Sequence, residues 1–174
     1  MKVAIVMGSD SDLEIMKEAV DTLEKMGIES FVSITSAHRT PAKVATFLKD
    51  VEKHGCEVII AGAGMAAHLA GVIAANTILP VIGVPMPGGA LNGADALYST
   101  VMMPGGIPVA TVAIGKAGAV NAGVLAAEIL ALKYPELKKT LKKHKADLAK
   151  GVEDKDLKLQ KKGIKKYLEE KGKK

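Results

Sequence analysis

The sequence predicts an α/β fold, a three-layer αβα sandwich on a parallel sheet. Three observations predict it. Five short apolar runs alternate with five helical segments, glycine or proline marks most of the joins, and nothing interrupts the alternation before residue 133. Such alternation with short turns lays the strands side by side in one direction with helices on both faces, and the right-handed crossover rule leaves few topologies. A flavodoxin-like arrangement is the expected one.

The elements follow in order. From Lys2 to Met7 an apolar run ends at Gly8, and between Asp12 and Met26 the residues Leu13, Met16, Ala19, Val20 and Leu23 recur at helical spacing. A second strand, Phe31 to Thr35, leads through Ser36-Ala37-His38-Arg39 to Thr40-Pro41, a good N-cap and a good first helical residue, with the helix running to about Lys53. Glu57 to Ala61 reads as the third strand, and a helix is expected over Ala66 to Asn76. Val81 to Val84 is a fourth strand, Leu91 to Met102 a helix, Pro108 to Ile114 a fifth strand and Ala117 to Leu132 a long alanine-rich helix. Beyond Tyr134-Pro135 the chain becomes lysine-rich, with Leu137, Leu141, Leu148 and Val152 on one face and breaks at Gly151 and Gly163. The expected division is a catalytic domain over 1–132 and a helical C-terminal extension over 133–174.

Composition narrows the function. The net charge of +5 is unevenly spread: residues 1–132 carry 8 basic and 12 acidic side chains, residues 133–174 carry 16 and 7. A basic tail suggests nucleic acid, but a chain with no Trp, two Phe and three Tyr offers few stacking platforms, so no nucleic-acid partner is expected. The same poverty argues against flavin. One cysteine, Cys56, allows no internal disulfide and reads as a buried thiol, which suits a reducing, cytoplasmic setting. The apolar stretch from Val58 to Val84 is interrupted by Gly62, Gly64, His68, Gly71, Asn76 and Pro80, so no membrane span is expected. Neither a P-loop nor a metal-ligand spacing occurs, and no metal or other cofactor is expected.

In a parallel sheet the residues just past each strand's carboxyl end collect along one edge, where ligands bind. Here that edge gathers Gly8 to Asp12, Ser36 to Arg39, Gly62 to His68, the loop after Val84, and Gly115-Lys116. Ser9 and Ser11 open a helix whose free N–H groups suit a phosphate, although Ser11 and Glu14 fit a capping box equally well. Asp12, which would repel phosphate, suits ribose hydroxyls. Arg39, the sole arginine, is a candidate clamp for phosphate or carboxylate. His38 is the best candidate for proton transfer near neutral pH. His68 fits a satisfied structural histidine as well as a ligand contact. Gly62-Ala63-Gly64 matches the dinucleotide pattern loosely, but no Asp or Glu lies between Glu57 and Asp95 to hold a ribose.

MGSDSD at 7–12, SAHRTP at 36–41, AGAGMAAHLAG at 61–71, MPGGIPVATVAIGKAG at 103–118 and NAG at 121–123 together resemble the class I N5-carboxyaminoimidazole ribonucleotide mutases, over nearly all of residues 3–132. The resemblance implies a flavodoxin-like core, a homo-octamer with sites at subunit contacts, and chemistry without metal, ATP or biotin. It places Ser9, Ser11, Ser36, Ala37 and Arg39 in the substrate site with the phosphate, Asp12 on the ribose and His38 as acid/base. Gly64, Ala66, Ala67 and His68 would line a small pocket for CO2. The chain departs from the usual pattern at Met65, Ala70, Met102 and the loop Met86-Pro87-Gly88-Gly89. The nearest rival is the related CO2-dependent carboxylase, associated with SAHK rather than SAHR; a non-catalytic nucleotide-binding module is the rival of another class.

Overall fold

The computed structural model describes residues 1–171. Five parallel strands, β1 (Lys2–Met7), β2 (Glu29–Ile34), β3 (Val58–Ala63), β4 (Val81–Pro85) and β5 (Ala110–Thr111), form one sheet in the order β2-β1-β3-β4-β5. That is the flavodoxin-like order, whose reversal point lies between β1 and β3. Six α-helices complete the described residues: α1 (Leu13–Lys25), α2 (Pro41–Lys53), α3 (Leu69–Ala74), α4 (Ala94–Val101), α5 (Lys116–Leu130) and α6 (Leu137–Lys171).

Side-chain alternation along the strands divides the core. Val3, Ile5 and Met7 of β1, with Val58, Ile60, Ile82 and Val84, pack under α1 and α5 against Met16, Leu23, Ala119, Ala122 and Ala126. The intervening Ala4, Val6, Ile59, Ala61 and Val81 face α2 and α3 through Val44, Phe47, Val51, Leu69 and Ile73. Both faces of the central strands are therefore dry, which is why β1, β3 and β4 read as continuous apolar runs and not as alternating ones. Cys56 is buried at the edge of the second cluster, and that burial pushes its thiol up.

Several boundaries differ from those expected, each for a local reason. The capping box does not form: Ser9 to Asp12 make a 3₁₀ turn in which the Ser9 hydroxyl accepts from Ser11 N–H at 3.3 Å, and Glu14 instead pairs with Lys116 Nζ at 2.9 Å. Thr40 occupies the N-cap of α2, but its hydroxyl turns back to Ser36, donating to that carbonyl at 3.0 Å. α3 begins at Leu69 and not at Ala66, which leaves Gly64 to His68 irregular. α4 begins only at Ala94, because Asn92 and Gly93 are left-handed and a Cβ on Gly93 would sit 2.9 Å from the Met86 carbonyl oxygen. β5 shrinks to two residues; Pro108 has no N–H to donate, so pairing starts late.

The C-terminal helix packs only at its start. Leu137 and Leu141 are buried against the core, whereas Leu148, Val152 and Leu157 are exposed. Gly151 stays helical, and the one break expected in this stretch that occurs is at Gly163, with φ 71°. Tyr134 and Lys133, between α5 and α6, both bind the Glu57 carboxylate at the entrance to β3, the tyrosine hydroxyl at 2.8 Å. Among the described residues no helix is long and apolar enough to cross a membrane.

Candidate active site

The carboxyl ends of β1, β2, β3 and β4 open onto one pocket of about 590 Å³, at the reversal point of the sheet. Its wall is formed by Gly8, Ser9, Ser11 and Asp12 after β1, Ser36 to Arg39 after β2, Gly64 to Ala66 with His68 after β3, and Met86 to Gly89 after β4. Of the five segments expected along this edge, four contribute to the wall, and Gly115-Lys116 does not.

The turn after β2 is rigid. Ser36 accepts on its carbonyl from Thr40 N–H at 2.9 Å and from the Thr40 hydroxyl at 3.0 Å, while its own hydroxyl accepts from Arg39 N–H at 3.1 Å. These bonds close a four-residue loop that presents His38 and Arg39 to the pocket. The Arg39 guanidinium crosses to the β1 loop and donates from Nη2 to the Gly8 carbonyl at 3.0 Å. One face of the fork is thereby fixed beside Ser9 and Ser11, and its other donors are left to a ligand.

Asp12 lies in the same corner. Burial pushes its carboxyl above the ordinary 3.8, against hydrogen bonds from Ser11 and the Ser9 backbone and the charge of Arg39, which pull it down. The corner therefore combines a fixed cation, two hydroxyls and a helix start, which attract an anion, with one carboxylate that must face something else.

His38 Nε2 lies 2.8 Å from His68 Nδ1, and the rings meet edge to face at 79° with centroids 4.9 Å apart. One ring must present an N–H and the other a lone pair, so the contact ties the tautomer of each histidine to that of its partner. His68, for which the sequence left a structural role and a ligand contact equally open, is exposed and pairs with His38. His38 Nδ1 has no hydrogen-bond partner among the described residues.

Beyond the histidines the wall is small and apolar. Gly64 and Ala66 line it, whereas Ala67 is 1% exposed and supports the wall from behind. Met65 and the loop Met86 to Gly89, which stood out in the sequence only as departures from the usual pattern and were given no role there, all line the pocket. The edge rule had pointed to the loop after β4 without deciding which of its residues turn inward. Lys116 stays outside, paired with Glu14. Among the described residues no group of three or more His, Cys, Asp or Glu side chains converges as a metal site.

A family model described as AIR carboxylase matches residues 2–151. The chain belongs to the AIR carboxylase family. Within that family, it is 52% identical over 170 residues to the N5-carboxyaminoimidazole ribonucleotide mutase of Thermotoga maritima, covering 98% of each chain. It is 54% identical over 168 residues to the Pyrococcus horikoshii protein of the same name, covering 97% of this chain and 94% of that one. The AIR carboxylase fold is matched in space by Treponema denticola PurE, with a TM-score of 0.82 and 33% identity over 91% of this chain and 98% of that one.

Proposed function

We propose that this chain is an N5-carboxyaminoimidazole ribonucleotide mutase of de novo purine biosynthesis, moving the substrate carboxyl from the exocyclic nitrogen to C4 with His38 as acid/base. The relatives bearing that name are similar along almost the whole chain. The observation that carries the mechanism is the histidine pair, set between an anion corner and a small apolar wall.

In this reading the nucleotide phosphate lies among Ser9, Ser11, Ser36 and Arg39, with Asp12 accepting from ribose hydroxyls. The base then extends past His38 toward Gly64 and Ala66. The N–C bond of the carbamate breaks, its electron pair returning to the exocyclic nitrogen, which takes a proton from His38. C4 attacks the released CO2, forming the new C–C bond, and His38 removes the proton from C4, so it ends as it began. His38 Nδ1 is the nitrogen free to face substrate, and it can lose and regain its proton while Nε2–H goes on donating to His68 Nδ1. Retention matters because a CO2 kept beside C4 reacts as an intramolecular partner, which replaces a bimolecular encounter.

The test offers the N-carboxylated nucleotide in one vessel and the uncarboxylated nucleotide with CO2 in another. Efficient conversion of the first, without ATP or metal, is expected. Turnover only in the second would replace the mutase with a CO2-dependent carboxylase. The same proposal includes a cytoplasmic homo-octamer, which would give the exposed Ile78, Tyr98, Met102 and Leu132 a surface to cover; light scattering returning a monomer would refute it.

A further inference from the structure

Met65 is the feature of the pocket that the chemistry above leaves unused. It follows β3 by two residues with φ 56°, in the left-handed region that a long side chain rarely adopts. Core packing does not offset the strain, since the residue is 65% exposed. Strained backbone maintained without burial is characteristic of functional positions.

The side chain has a definite neighbour. A Cβ built on Gly89 would lie 3.7 Å from Met65 Cγ, so the methionine arm reaches from the loop after β3 to the loop after β4. Gly88 and Gly89 both have positive φ, and Gly64 has so little room that an added Cβ would stand 3.3 Å from Met86 Cβ. The left-handed turn at Met65 is thus what aims an apolar, unbranched arm across the rim of the Gly64 and Ala66 wall. An unbranched thioether adapts its shape, offers no strong hydrogen bond to water, and suits a guest as small and apolar as CO2.

We propose that Met65 is a retention residue, whose side chain closes the gap between the β3 and β4 loops and slows the escape of CO2 between its release and its capture by C4. This rests on the mutase reading, and it adds a determinant that sets how much of the carboxyl is transferred internally.

The experiment uses substrate labelled with 13C in the carboxyl group, in buffer holding unlabelled CO2 and bicarbonate, with enzyme in excess so that each nucleotide reacts once. Mass spectrometry of the product reads the fraction of label kept. The wild-type protein is expected to keep most of it. Met65→Gly should lose label about tenfold faster relative to capture, as expected for removing one apolar contact from the escape barrier. Met65→Leu, which keeps an apolar arm, should stay near wild type. Glycine takes the left-handed conformation without steric cost, so the melting temperature of Met65→Gly should hold or rise, which separates leakage from misfolding. Label retention in a folded Met65→Gly protein equal to that of wild type would overturn the assignment and leave the mutase reading intact. Failure of wild type to convert the carboxylated nucleotide at all would overturn both.

Discussion

Replacing Gly118 with alanine sets two effects of opposite sign against each other, and the structure decides between them. Gly118 lies in the first turn of α5, where intrinsic propensity favours alanine over glycine by about 1 kcal/mol. Yet a Cβ there would overlap the Ala113 carbonyl oxygen severely, far inside van der Waals contact. That oxygen is backbone, so no rotamer change relieves the overlap. The turn holding it is itself fixed, by Gly115 N–H donating to the Pro85 carbonyl at 2.9 Å and Val112 N–H to the Gly83 carbonyl at 3.1 Å. Overpacking of this kind costs about 3 kcal/mol when the neighbour cannot yield. Net destabilisation of about 2 kcal/mol is therefore expected, a fall in melting temperature of roughly 4–8 °C. Gly151→Ala is the control: it is also in a helix, but an added Cβ meets nothing within 4 Å, so propensity alone should stabilise by about 1 kcal/mol. Urea unfolding at fixed protein concentration measures both midpoints. A Gly118→Ala protein as stable as wild type would refute the argument from space and leave propensity in control.

His38→Asn should keep nucleotide affinity within a few-fold and lose turnover by roughly 10²–10⁴, because the amide can hydrogen-bond but cannot exchange a proton near neutral pH; substantial activity in steady-state assays would move the acid/base role to His68. Arg39→Ala should raise KM by about 10–100-fold, the range for losing a hydrogen bond to a charged group, with kcat far less affected; an unchanged KM with collapsed kcat would reverse that assignment. Glu57 gives a pH signature. Burial pulls its carboxyl upward, but hydrogen bonds from Lys133 and Tyr134 and the charge of Lys133 outweigh this and leave it below 4.5. A lowered folded value means stability that is present above 4.5 and lost as pH falls through the folded value. In urea titrations the advantage of wild type over Glu57→Gln should therefore shrink below that pH, and a gap independent of pH would remove the carboxylate from the explanation.

Much of this protein was determined by its sequence alone, because the relevant forces act over a few residues or repeat along the chain. The apolar runs at Val3 to Met7, Val58 to Ala61 and Val81 to Val84 commit those segments to strands buried on both faces, and the alternation with helices leaves few ways to order them. The parallel sheet then turns position into geometry, so Ser9, Ser36, His38, Arg39 and Gly64 were legible as neighbours from the sequence. Tertiary structure alone decided what depends on contacts between distant residues. Ser11 and Glu14 have the spacing of a capping box, but Lys116, more than a hundred positions away, takes the glutamate. Thr40 has the chemistry of an N-cap and spends its hydroxyl on Ser36. His68 had two equal readings until the fold set it 2.8 Å from His38, thirty residues earlier. Ala66 and Ala67 are identical in sequence terms, and only the late start of α3 turns one into the pocket and the other into the core. Periodicity and local propensity fix which segments form and in what order. Which of two hydrogen-bond partners or two adjacent alanines faces the ligand is settled by packing energies that no local pattern contains.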